Sequence, residues 1–141
     1  MYQYNHKEFI VALEDQSLPD ELFTHEGHLR AAWIYLCDNE PQQAAKKCCT
    51  AIKDYAESLG ATDKFNLTIS MALMEIVAVR LSRSNSLFGQ GGDSNWRSFK
   101  QQNSDLFDNA LAILFKYYDK EVLFSEKARH EFLPPKVAFD C

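Results

Sequence analysis

Leu67-Thr68-Ile69-Ser70-Met71-Ala72-Leu73-Met74-Glu75-Ile76-Val77-Ala78-Val79-Arg80-Leu81 is apolar on almost every side when wound as a helix. Counting Phe65, the residues Leu67, Met71, Leu73, Met74, Ile76, Val77 and Leu81 leave no broad polar face. A helix of that kind belongs at the centre of a bundle. Thr68, Ser70, Glu75 and Arg80 interrupt the tract, so it falls short of the roughly 20 apolar residues of a membrane span. It reads as the fourth helix of an all-α protein, capped by Thr62 or Asp63. Glu75 reads as a carboxylate buried within it, in an ion pair rather than as a general base.

Upstream, each helix carries its own punctuation. Lys7 to Leu13 presents Phe9, Ile10 and Leu13 on one stripe, and Pro19-Asp20 breaks the chain after it. Thr24 is an N-cap residue for a second helix running to about Cys37. Pro41 sits where a helix tolerates proline, at its first position, and Gly60 is placed to end that third helix. Ala45, Cys48, Ile52, Tyr55 and Leu59 recur at three- and four-residue spacing along it.

Downstream, residues 82–95 with Gly89, Gly91 and Gly92 read as a flexible loop. No strand precedes them and no Lys-Ser/Thr ending follows, so they are not a phosphate loop. Trp96 and Phe99 mark a short helix. Leu106, Phe107, Ala110, Leu111, Leu114 and Tyr117 mark a long one, and Ser125 caps a last helix reaching Phe132. Residues 133–141, opening on Pro134-Pro135, form an extended tail. The expectation is one all-α domain over residues 1–141, a bundle of about six helices with the second and fourth central and parallel.

Composition narrows the function. Apolar residues make up 46% and charged ones 25%, a globular balance. The net charge is −5 with no basic run, which argues against a nucleic-acid partner. The N-terminus lacks the pattern of a signal peptide and no segment is suited to a membrane, so a cytoplasmic location is expected. Cys37, Cys48, Cys49 and Cys141 form neither a disulfide framework nor a zinc spacing; Cys48 reads as core and Cys141 as a tail thiol. No cofactor is expected. His6 and His130 read as surface residues, and Trp33 and Trp96 as core.

Two polar clusters open the two central helices: Phe23-Thr24-His25-Glu26-Gly27-His28-Leu29-Arg30 and Lys64-Phe65-Asn66-Leu67-Thr68. Short links between helices two, three and four favour antiparallel neighbours. The second and fourth helices then start at the same end of the bundle. His25, His28, Lys64 and Asn66 would meet there, and Tyr117 and Tyr118 would join them if the long C-terminal helix ran antiparallel to the fourth. Helix N-termini attract anions, and imidazole, ammonium and amide groups supply donors and acceptors. The cluster therefore reads as a pocket for a small, anionic ligand such as a carboxylate or phosphate. A structural reading stands beside it, in which His28 packs on Phe23 as a hydrophobic staple and His25 is a core-edge residue. A weak metal-dependent enzyme using His25 and His28 is a second functional reading, and a non-catalytic homodimer a third.

Phe23-Thr24-His25, His28-Leu29-Arg30, Ala32-Trp33, Lys64-Phe65-Asn66, Thr68, Tyr118, Glu121, Leu123-Phe124-Ser125 and Ala128-Arg129 together resemble the pattern of a family of small bacterial helical proteins without an assigned function. The resemblance spans about Phe23 to Pro135. In that pattern a histidine stands where this chain has Asn66, and three histidines would resemble a zinc site with an open position. Asn66 departs from it, and no metal ligand set is expected here.

Overall fold

Asn5 starts the first helix by a reciprocal cap. Its side chain accepts from the Glu8 amide at 2.8 Å, and the Glu8 carboxylate accepts from the Asn5 amide at 3.0 Å. The computed structural model describes residues 4–83 and 93–139. In chain order the helices are α1 His6–Glu14, α2 His25–Asp38, α3 Pro41–Ser58, α4 Leu67–Arg83, α5 Asp93–Gln102, α6 Ser104–Asp108, α7 Ala110–Leu114, α8 Lys120–Leu123 and α9 Glu126–His130. Short 3-10 turns at Asp20–Leu22 and Thr62–Lys64 precede α2 and α4. The described residues contain no strand, and no helix among them is long and apolar enough to cross a membrane.

The punctuation upstream acts as expected. Thr24 caps α2 by accepting from the Gly27 amide, Pro41 opens α3, and Gly60 follows α3 at φ 70°. Gly27 is glycine for a steric reason: a Cβ there would lie 2.4 Å from the Leu22 carbonyl oxygen, so only a bare Cα lets the preceding turn lie against α2.

From Gly27 to Cys37, every residue of α2 but His28 is buried, which puts this helix at the centre. Phe23, just before α2, packs on Tyr55 near the end of α3 with ring centroids 5.0 Å apart. Cys49, midway along α3, lies 3.5 Å, sulfur to sulfur, from Met71 early in α4, and Lys53 further along α3 shares a cavity with Leu67 at the start of α4. Thus α3 runs against both neighbours, and α2 and α4 are parallel, in contact, and start at one end. Trp33, Trp96, Phe99 and Phe107 then join α5 and α6 to this core through ring contacts of 5.3–6.3 Å.

Several expectations need correcting. Asn66, not Thr62 or Asp63, caps α4: its Oδ1 accepts from the Ile69 amide at 3.0 Å. Ser82 and Arg83 belong to α4, and Asp93 to Asn95 belong to α5. The rest of the expected 82–95 loop lies outside the described residues, as does Cys141. The long helix ending at Tyr117 is two short ones, because Asn109 leaves the helical conformation and caps α7 by accepting from the Ala112 amide at 3.2 Å. The last helix stops at His130 rather than Phe132, and α8 precedes it. Glu75 and Leu59 are exposed, whereas His6 is half-buried against Trp33 and accepts from Arg30 at its Nδ1.

Helices of four or five residues cannot stand alone, so α6 to α9 rely on bonds from the body. Thr68, wholly buried, donates to the Glu131 carbonyl at 2.7 Å and accepts from the Leu133 amide at 3.1 Å. Within the segment itself, the Tyr118 hydroxyl donates to the Leu133 carbonyl at 2.8 Å, and the Lys136 amide to the Tyr117 carbonyl at 2.8 Å. Thr68→Val keeps the shape and removes the hydroxyl, leaving a carbonyl and an amide without their partner. Stability to denaturant should fall by about 2–3 kcal/mol, and hydrogen exchange should accelerate first in residues 131–139. Unchanged exchange there would mean that the tail does not depend on Thr68.

Candidate functional site

The capping of α2 by Thr24 fixes where the two sequence-predicted histidines point. His25 is exposed, with Nε2 3.0 Å from the Leu106 carbonyl oxygen. A carbonyl can only accept, so His25 carries its hydrogen on Nε2 and joins the start of α2 to α6. His28 stacks on Phe23, ring centroids 6.2 Å apart and planes 17° apart, which is the staple geometry. The residue is half-buried as a whole, yet Nε2 is sealed and has no hydrogen-bond partner among the described residues. Burial, and then the neighbouring His25, lower its pKa from 6.5 to about 4. His28 is therefore neutral at physiological pH.

The other expected site residues are committed differently. The Asn66 amide donates to the Leu123 carbonyl at 2.9 Å while its oxygen caps α4, so both ends of the side chain are used. Lys64 is exposed. Tyr117 and Tyr118 are buried, the first packed on Phe139 and the second bonded to Leu133. Burial and then Glu75 push the Tyr118 hydroxyl up to about 12, so it remains a donor. Parallel α2 and α4 do bring the two motifs to one end of the bundle. None of the hydrogen bonds or ring contacts made by His25 and His28 among the described residues reaches Lys64 or Asn66. Among those residues, no three His, Cys, Asp or Glu side chains are grouped as metal ligands.

Concave places lie elsewhere. A groove of about 750 Å³ runs between α1, α2 and α3. Charges of both signs line it, Glu14, Asp38 and Asp54 against Lys46 and Lys47, so it favours no one ligand charge. Its most buried polar group, the Tyr35 hydroxyl, already donates to Glu14 at 2.6 Å; burial and that carboxylate raise its pKa. A recess of about 130 Å³ at the start of α2 contains Arg30, whose guanidinium donates to His6 and to the Tyr4 carbonyl and lies over Phe9. Arg30 acts there as a brace between α2 and the N-terminal segment.

The third cavity, about 180 Å³, lies between α3, the residues leading into α4, and α9. Cys49, Phe65 and Leu67 form its apolar wall and Thr50 adds a hydroxyl. Lys53, Arg129 and His130 bring two cationic side chains and an imidazole. Arg129 donates through Nη1 to Glu126 at 2.6 and 3.2 Å, and His130 lies 3.4 Å from the same carboxylate. The Arg129 Nε is sealed from solvent without a partner. Among the described residues, no carboxylate lines this cavity. Sequence reasoning missed it because Lys53 and Arg129 are far apart along the chain. The only local signal was Glu126 spaced for contact with Arg129 and His130.

The chain matches no known protein family, no curated protein and no solved structure. Function has to be read from its own geometry.

His28 makes a test of the histidine pair that needs no ligand. Its folded pKa is below the unfolded value, so the unfolded chain takes up the proton first and stability falls as pH drops from about 6.5 towards 4. At pH 5 the loss due to this residue should be up to about 2 kcal/mol. His28→Leu keeps the staple and should flatten that part of the stability-pH curve. Equal curves for the two proteins would show that His28 is not held neutral.

Proposed function

We propose that the protein binds a small anionic ligand, and that the binding place is the cavity between α3, the start of α4 and α9. The observation that carries this is the convergence of Lys53, Arg129 and His130 on an apolar-walled space whose lining, among the described residues, includes no carboxylate. Glu126 offsets one of the two cations, and in a chain of net charge −5 what remains is a local excess of positive charge, which in a cleft concentrates anions. None of the residues expected in the pocket lines this cavity; it meets the start of the fourth helix through Phe65 and Leu67, and Lys53, Arg129 and His130 stand in place of the histidine pair as the recognition group. A cytoplasmic location belongs to this reading: Cys37, Cys48 and Cys49 are free thiols, the state a reducing compartment maintains.

Thermal unfolding at low ionic strength tests it. Millimolar phosphate or short carboxylates should raise the melting temperature of the wild type. A ligand at a hundred times its dissociation constant stabilises the native state by about 2.7 kcal/mol. Lys53→Ala combined with Arg129→Ala should abolish the rise, and His25→Ala should leave it intact. A rise of equal size in the double variant would be a general salt effect and would remove this proposal.

The exposed aromatics Phe115 and Phe124 favour a second reading. Their rings meet edge to face with centroids 6.2 Å apart, and Leu111 and Val122 are exposed in the same segment. Apolar groups left in water in one region suit an interface between copies. Light scattering after size exclusion should then find a dimer that Phe115→Ser with Phe124→Ser converts to monomer; a monomeric wild type at high micromolar concentration rules this out.

A further inference from the structure

Resting on the small-anion reading, we infer that the cavity between α3 and α9 selects a monocarboxylate with a short apolar body, recognised by the Nε–Nη2 edge of Arg129. Size sets the first limit. About 180 Å³ is roughly six waters' worth of space. That is below the ~300–1,000 Å³ of sites that take drug-sized ligands, so a nucleotide does not fit.

The lining sets the second limit. Cys49, Phe65 and Leu67 give one side of the cavity nothing stronger than a thiol already turned to Met71 with which to replace the water around an inorganic anion. A strongly hydrated phosphate would lose solvation against that wall and gain little from it. A carboxylate carrying a few carbons meets both sides: the charge turns to Lys53 and Arg129, and the carbon chain covers Phe65 and Leu67.

Arg129 supplies the orientation. Its Nη1 lies on Glu126, while Nε is sealed and unpartnered, and its other edge carries no ion pair among the described residues. The Nε and Nη2 hydrogens form a planar two-donor fork that matches the two oxygens of one carboxylate. The Arg129 side chain is 26% exposed and that of Glu126 67%, and an ion pair this exposed holds its geometry weakly. Turning the fork into the cavity therefore breaks no buried bond and gives Nε the partner it lacks. Thr50, at the same cavity, can donate to one carboxylate oxygen.

Titrations followed by amide chemical shifts, with butyrate, benzoate, acetate, inorganic phosphate and neutral butyramide as probes, test the inference. Butyrate or benzoate should bind at least tenfold more tightly than acetate or phosphate, shifting residues around Lys53, Leu67 and Arg129, and butyramide should not bind. Arg129→Lys keeps the charge and removes the fork, and should weaken butyrate at least tenfold. Its own spectrum reports whether it is folded, and Lys53→Met, expected to weaken every anion alike, serves if it is not. Phosphate binding more tightly than butyrate at these residues would overturn the carboxylate inference and leave the small-anion reading standing. Butyrate binding untouched by Arg129→Lys would overturn the role given to the fork. Shifts confined to other parts of the protein, or none with any probe, would overturn both the inference and the reading beneath it.

Discussion

One buried hydroxyl, that of Thr68, ties the C-terminal third of this protein to the rest. It satisfies a carbonyl and an amide of the tail at once, and nothing in the short helices α6 to α9 could replace it, since segments of four or five residues have no stability of their own. The same device recurs along the joint. His25 reaches the Leu106 carbonyl, and Asn66 the Leu123 carbonyl. Side chains at the starts of two parallel helices thus supply hydrogen bonds that the C-terminal segment cannot make within itself. The two polar motifs lie at one end of the bundle because that is where the segment crosses.

This explains why the polar clusters resembled a binding site in sequence. A clamp and a pocket draw on the same residue types: both need donors and acceptors fixed at helix ends. What separates them is whether the partner atom belongs to the chain, and a partner 57 residues away, as for Asn66 and Leu123, leaves no mark in local spacing. The architecture was legible for the opposite reason. Thr24, Pro41 and Gly60 act within their own turn, and the apolar tract from Leu67 to Leu81 requires a buried position whatever surrounds it. Local signals failed where two caps competed. Thr62, Asp63 and Asn66 all suit an N-cap, and only the intervening 3-10 turn decides for Asn66. Asn109 is a similar case, because the apolar spacing runs on across it while its own side chain turns to cap α7.

The cavity at α9 is a product of the clamp. Arg129 and His130 stand beside Lys53 because Thr68 and Asn66 hold the backbone on either side of α9 against α4. The residues that read as ligands in sequence thereby act one step removed, as positioning groups for a site built from residues that carried no motif. Such a site was hidden from sequence because its charge comes from α3 and α9, while its apolar wall comes mainly from the approach to α4.

The His28 Nε2 and the Arg129 Nε, both buried without a partner among the described residues, point in different directions for a reason rooted in acid–base chemistry. An imidazole can meet burial by staying neutral, and His28 does so, its pKa lowered to about 4. What remains is one unsatisfied neutral polar atom, a cost of about 1–3 kcal/mol that a single staple contact and its surroundings can offset. A guanidinium has no such route, since arginine does not lose its proton in a protein. The charge of Arg129 is paired with Glu126 through Nη1, but the Nε donor stays unsatisfied and only a further hydrogen-bond acceptor relieves it. The orphan nitrogen of His28 is thus compatible with a purely structural residue, whereas that of Arg129 calls for a partner. Because the cavity beside Arg129 contributes no carboxylate among the described residues, an anion from solution is the partner that its chemistry fits.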